Sequence, residues 1–294
     1  MTVHPRRRPL TSREEDNAQT GATAASETLT DASLVTPDGA HLSAWFLRPQ
    51  SGNGDAVILL HGVTDNRMGM YGYAKWLAGK GYSVLLPDSR AHGLSSGLAS
   101  YGLKESDDIH LWVNWIENTD HPHCVYGLGE SMGAAQLLQA LPKEPRFCAV
   151  VAESPFASLR EAAYARVGRE FHTGPWLGST VFRLSVNAGF LFDRYRYGLD
   201  VESVSPKIAV QMVKTPILLI HGLNDRNIPP FHSDEIQANN PGDIVVWKVP
   251  GAVHTGAHKA APAEFESKVL AWFGSHHAPT ATASPPSAES RSLY

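Results

Sequence analysis

The segment Gly129-Glu130-Ser131-Met132-Gly133 constrains this chain more than any other. It follows the short apolar run Cys124-Val125-Tyr126 and opens the helical pattern Ala134 to Leu141. A serine between a strand and a helix, with glycine two positions to either side, fits a sharp turn that lifts its hydroxyl clear of the sheet. The helix behind such a turn directs its positive end at any anion developing beside the serine. The pentapeptide alone is weak evidence, because glycine and serine are frequent. Its position between strand and helix makes it specific, and Ser131 is the candidate nucleophile.

The rest of the chain supplies the sheet this turn requires. Val57 to Leu60, Tyr82 to Leu86, Cys124 to Tyr126, Cys148 to Ala152, Ile217 to Ile220 and Ile244 to Val249 are apolar runs of strand length, interrupted only by Ser83 and Lys248. Such runs fit parallel strands covered on both faces. Between them, Tyr71 to Ala78, Ser106 to Asn118, Ala134 to Leu141 and Ala263 to Phe273 carry apolar residues at helical spacing. Ser33 to Thr36 and His41 to Leu47 flank Pro37-Asp38-Gly39 as a hairpin. The pattern predicts a three-layer α/β fold: a mostly parallel twisted sheet with an antiparallel N-terminal start.

With 294 residues, 43% of them apolar, the chain can bury one substantial core. Residues 31–274 are read as one domain. Within it, 156–210 break the alternation and are too long for a structureless loop. Their aromatic residues, among them Phe156, Phe182 and Phe190, predict a helical lid over the carboxyl ends of the strands, with some rings facing a cleft. Residues 1–30 and 275–294 are read from composition as a disordered leader and tail. Arg6-Arg7-Arg8 reads as a solvated run.

A formal net charge of −4 gives no reason to expect nucleic acid as a partner. No apolar stretch approaches the ~20 residues that span a bilayer, so stable membrane insertion is not expected. Cys124 and Cys148 lie in apolar runs and read as buried thiols in a reducing compartment, with the cytoplasm as the default location. Oligomeric state is not legible.

A serine nucleophile needs a base and an acid, and on a sheet of this kind both follow it in the chain. Asp225 comes just after the strand Ile217 to Ile220, and His254 comes after the next strand. His254 is the candidate base and Asp225 the candidate acid. Glu153, which also ends a strand, is the rival acid, and His258 is the rival base. His61 precedes the serine and reads as a brace for its loop. For the oxyanion hole, the N–H of Met132 supplies one donor. That of Val63, in the loop after the strand ending at Leu60, supplies the second.

Other chemistries fit less well. His254 and His258 stand four apart without an H-E-x-x-H pattern, and Gly256 between them disfavours a helix. No G-x-x-x-x-G-K-[ST] is present. Neither a cofactor nor a metal is expected. Haloalkane dehalogenase or epoxide hydrolase chemistry would need an aspartate where Ser131 stands.

With these motifs the chain resembles bacterial α/β hydrolases related to the serine aminopeptidases and prolyl-oligopeptidase catalytic domains. The likeness rests on Leu60 to Arg67, Asp88 to Ser95, the Ser131 turn, Glu153 to Phe156 and His221 to Pro229, and covers residues 30 to 274. It implies the α/β-hydrolase fold and acyl transfer to water. It also implies a bracing role for Asp88 and His92. The N-terminal propeller that gates oligopeptidases has no counterpart, which argues against size-selected peptide cleavage.

The leading expectation is an esterase acting on a small to medium, apolar acyl substrate, as ester or thioester. An aminopeptidase or amidase is the alternative; it would need a lid carboxylate for the substrate amine, and Glu161, Glu170 and Asp193 are available. A non-catalytic binding protein on the same fold would be expected to lack a triad member, and here each has a candidate.

Overall fold

The structure is a computed structural model that describes residues 4–170 and 176–277. Its centre is an eight-stranded sheet made of β1 (Thr28–Val35), β2 (His41–Arg48), β3 (Ala56–Leu60), β4 (Ser83–Pro87), β5 (Val125–Glu130), β6 (Phe147–Glu153), β7 (Ile217–Gly222) and β8 (Ile244–Val249). The spatial order is β1-β2-β4-β3-β5-β6-β7-β8. β2 pairs antiparallel with both β1 and β4, and every later pairing is parallel. This is the α/β-hydrolase fold, with the expected antiparallel start.

The central strands show why their sequences lack polar alternation. Along β3, Val57 and Leu59 enter one core, and Ala56, Ile58 and Leu60 enter another on the opposite face. Both faces are covered, so every position is apolar. Helices α1 (Ser12–Ala24), α2 (Tyr71–Ala78), α3 (Glu105–Asp120), α4 (Met132–Ala140), α5 (Leu159–Glu170), α6 (Trp176–Ser179), α7 (Arg183–Tyr197), α8 (Pro206–Ala209), α9 (Phe231–Asn239), α10 (Ala257–Ala260) and α11 (Pro262–Ser275) complete the chain. α2 and α11 pack on the face of Val57, and α3, α4 and α9 on the face of Ile58. α5 to α8 fill the interval between β6 and β7.

Chain direction reverses across the sheet at β3. The chain steps from β3 outward to β4, then returns to β5 on β3's other side. Loops leaving the carboxyl ends of β3 and β5 diverge at this switch point and leave a crevice between them. The Val63 loop follows β3 and the Ser131 turn follows β5.

Three readings of the sequence need correction. The stretch read as a disordered leader forms α1 and the beginning of β1 over residues 12–30. Thr11 and Glu14 cap the helix reciprocally, and Ala18 and Ala22, four apart, bury their small faces in the core beside Trp45 and Tyr71. The Tyr71 hydroxyl donates to the Ala18 carbonyl at 2.7 Å. The arginine run is no solvated tail either: Arg8 reaches Asp65 at 2.6 Å, and Arg7 donates to the Ser95 carbonyl. Finally, Cys124 and Cys148 form a disulfide. Cys148 lies on β6 and Cys124 just precedes β5, its neighbour in the sheet, which brings their Cα atoms to 5.7 Å. This pairing removes the composition-based ground for a reducing compartment. The expected disordered tail falls mostly outside the described residues. Among the described residues, no helix is long and apolar enough to cross a membrane.

Candidate functional site

Ser131 stands at the turn between β5 and α4 with φ 51° and ψ −109°, a conformation that L-residues rarely adopt. The flanking glycines are required by close approach. A Cβ at Gly129 would lie 2.7 Å from the Gly133 backbone, and one at Gly133 would lie 2.3 Å from the Leu60 carbonyl oxygen. The Ser131 N–H donates to the Glu153 carbonyl at 2.8 Å, which pins the turn to the end of β6.

The loops after β7 and β8 bring the other two expected residues to this turn. His254 Nε2 lies 2.8 Å from Ser131 Oγ, and His254 Nδ1 lies 2.6 Å from Asp225 Oδ2. Asp225 is buried, and its other oxygen accepts the N–H groups of Asn227 and Ile228 at 2.8 and 2.9 Å. Burial raises the pKa of this carboxyl, but hydrogen bonds to His221 and His254 outweigh it and hold the group ionised, well below the usual carboxylate range. His221 is itself fixed by Ser233 Oγ at 2.6 Å and the Ile228 carbonyl at 2.8 Å. It is a brace of the acid loop that the sequence did not reveal.

The two rivals lie elsewhere. Glu153 is fully buried and accepts the Ala257 N–H at 2.8 Å, so it ties down the loop that carries His254. His258 belongs to α10, where it meets Glu266 at 3.2 Å and packs on Tyr73.

Val63 and Met132 line the same cleft as Ser131 and His254. Neither backbone N–H is engaged by another acceptor among the described residues. His61 holds the Val63 loop from beneath. Its Nε2 accepts the Ser89 N–H at 3.1 Å, so Nδ1 carries the proton that is donated to the Gly62 carbonyl at 2.7 Å. Burial lowers its pKa and keeps it neutral, as this tautomer requires. Asp88 braces the same region. It is fully buried with Arg67, accepts that residue's N–H at 2.7 Å and its guanidinium at 2.8 Å, and takes the Leu94 N–H at 2.8 Å. His92 packs edge-on against His61 with ring centroids 5.2 Å apart.

The cleft has a volume of about 320 Å³. Its walls include Tyr101, Phe156, Ala162, Arg166 and Arg169, so α5 closes one side of it. Of the described aromatic residues in the insertion, Phe156 lines this cleft. Phe182 and Phe190 line an adjoining hollow of about 350 Å³ between α5 and α7, and Trp176, Phe192 and Tyr195 are exposed. Helical periodicity alone could not divide these rings among cleft, hollow and solvent.

Among the described residues, one His/carboxylate cluster has its candidate ligand atoms within 4.8 Å: Asp55, His123 and His277. Asp55 immediately precedes β3 and His123 lies just before β5, so the cluster sits at the opposite end of the sheet from Ser131.

Comparison with known proteins agrees with this fold. The family model described as "Serine aminopeptidase, S33" matches residues 53–197. The uncharacterised Mycobacterium tuberculosis protein Rv2307c is 32% identical over 229 residues, which is 76% of this chain and 72% of that protein. Bacillus subtilis YqkD, also uncharacterised, is 29% identical over 207 residues; the match takes in 68% of this chain and 65% of YqkD's own length. Among solved structures, the Pyrococcus furiosus esterase Pf2001 superposes with a TM-score of 0.74 at 24% identity, covering 95% of this chain and 99% of that one. The chain therefore belongs to the α/β hydrolases of the serine aminopeptidase S33 family.

Proposed function

We propose that this hydrolase is a serine esterase that works through an acyl-enzyme on Ser131. The observation that carries the reading is the line of hydrogen bonds from Ser131 Oγ through His254 to Asp225, at 2.8 and 2.6 Å. In this mechanism His254 Nε2 takes the Ser131 proton as the hydroxyl attacks the ester carbonyl. Asp225 holds the proton on Nδ1 and stabilises the imidazolium that results. The N–H groups of Val63 and Met132 receive the oxyanion. His254 then protonates the departing alcohol, and water, activated by the same imidazole, releases the acid.

An ester of small to medium acyl chain suits the cleft volume. An aminopeptidase would need a carboxylate beside the substrate amine, and the insertion offers none in the right place. Glu161 is taken by Lys207 at 2.6 Å, Asp193 is buried in the insertion, and Glu170 lines the adjoining hollow. A thioester would react by the same route.

The test is labelling with a fluorophosphonate probe, followed by a panel of esters and amides of increasing acyl length. Labelling that maps to Ser131 and ester turnover above amide turnover are expected. Each added methylene should raise kcat/KM by about fourfold, from roughly 0.8 kcal/mol of apolar burial, until the pocket is full. Labelling that persists in Ser131→Ala would overturn the assignment.

A further inference from the structure

We propose that the substrate of this site carries an anionic oxygen group, carboxylate or phosphate, that is bound by Arg166 with Arg169 beside it. The inference rests on the serine esterase reading and adds a substrate class to it.

Ala162, Arg166 and Arg169 recur on α5 at spacings of four and three, so they share one face of that helix. All three line the cleft that contains Ser131. Arg166 is exposed to solvent in the cleft and makes no ion pair with any described residue. Arg169 is aimed by a hydrogen bond to Asn227 Oδ1, two residues beyond Asp225 on the acid loop. Two guanidinium groups are thus carried by one helix on the wall of the cleft that holds the proposed nucleophile.

The acidic groups of the cleft, Asp65 and Glu130, do not cancel two guanidinium charges. Asp65 is paired with Arg8 at 2.6 Å, a guanidinium that it shares with Glu14, so it offsets the two arginines only in part. Glu130 is buried beside Glu153 at the ends of β5 and β6, and burial pushes its pKa up to about 8, so it is mostly neutral at pH 7. The field in the cleft therefore favours an anion, and planar guanidinium forks bind carboxylate or phosphate oxygens directly. Arg166 also lines the adjoining hollow, whose other walls include Ala163, Val167, Val186 and Phe190. Glu170 and Ser185 complete this mainly apolar lining; a cation at its threshold suits an amphiphile with its charge at Arg166, on the cleft side, and its hydrocarbon along Ala163, Val167, Val186 and Phe190.

Two matched pairs of substrates test this. The p-nitrophenyl half-ester of glutaric acid against p-nitrophenyl valerate places a carboxylate on the acyl side. Butyryl glycerol 3-phosphate against monobutyrin places a phosphate on the alcohol side. In at least one pair, kcat/KM should favour the anionic member, and the pair that responds tells which source of charge the site reads. Arg166→Gln should lower that anionic-to-neutral ratio by about three- to tenfold, with Arg166→Lys retaining part of it. The ratio should also fall as salt is raised from about 0.05 to 0.5 M, because an exposed cation is screened. A ratio at or below one in both pairs, or one that ignores both Arg166→Gln and salt, would overturn the inference. Fluorophosphonate labelling of the wild-type protein separates the two failures: if labelling of Ser131 is intact, only the anion site is lost.

Discussion

Glu130 and Glu153 are register partners at the carboxyl ends of β5 and β6, which places two carboxyl groups side by side against Ser131. Burial raises the pKa of both, and the neighbouring Glu153 further disfavours ionisation of Glu130; the Tyr73 hydroxyl, packed against them, is likewise held protonated. Glu130 therefore binds its proton more tightly in the folded than in the unfolded chain. Between its ordinary value of 4.5 and about 8, the folded state holds protons that the unfolded state has released. Stability should consequently fall as pH rises through that window. Glu130→Gln should flatten this decline and raise the melting temperature most at the alkaline end. Melting curves from pH 5 to 8.5 measure it, and identical slopes in both proteins would refute the account.

The backbone of Ser131 and its hydroxyl can be tested separately. Ser131→Ala should lower ester turnover by roughly 10⁴-fold or more while leaving the circular dichroism spectrum unchanged. Ser131→Gly should be equally inactive but more stable than Ser131→Ala by about 1 kcal/mol, since glycine tolerates φ 51°. Equal denaturation midpoints for the two variants would mean that the turn stores no such strain.

Asp225 and Glu153 differ in what they hold. Asp225→Asn should reduce kcat by about 10⁴-fold, because an amide facing His254 Nδ1 favours the wrong tautomer. Glu153→Gln keeps an acceptor for the Ala257 N–H and should retain activity within about tenfold. Steady-state kinetics on one ester decides between them; a larger loss from Glu153→Gln would transfer the acid's role to Glu153.

The disulfide between Cys124 and Cys148 closes a loop with a sequence separation of 24. Loop-closure entropy gives it about 3 kcal/mol of stabilisation. Urea unfolding of the oxidised protein and of the Cys124→Ser, Cys148→Ser double variant should differ by that order. Thiol titration of the unreduced, denatured protein should find no free cysteine, and two thiols per chain would disprove the bond.

Much of the site is legible in the sequence because its parts are local. The strand, tight turn and helix around Ser131 are adjacent in the chain, and the glycines at 129 and 133 report a steric demand made within a few residues and by the neighbouring strand's end. Asp225 and His254 can be found because each follows a mainly apolar strand, and the chain order of acid and base on this kind of sheet is fixed. The helical nature of the insertion is likewise legible from its spacing. What tertiary structure alone decided depends on pairing across long separations. The contact of Cys148 with Cys124 follows from the adjacency of β5 and β6, and α1 is stable because Ala18 and Ala22 find Tyr71 and Trp45 some fifty and twenty-odd residues away. Choosing Asp225 over Glu153 as the proposed acid also required coordinates, since Glu153 ends β6 and turns to the Ala257 N–H, while Asp225, in the loop after β7, meets His254. Composition could not show that Arg8 pairs with both Glu14 and Asp65 or that Arg166 faces the cleft, because charge compensation is a property of distances in space, and sequence spacing fixes those distances only within a single helix or turn.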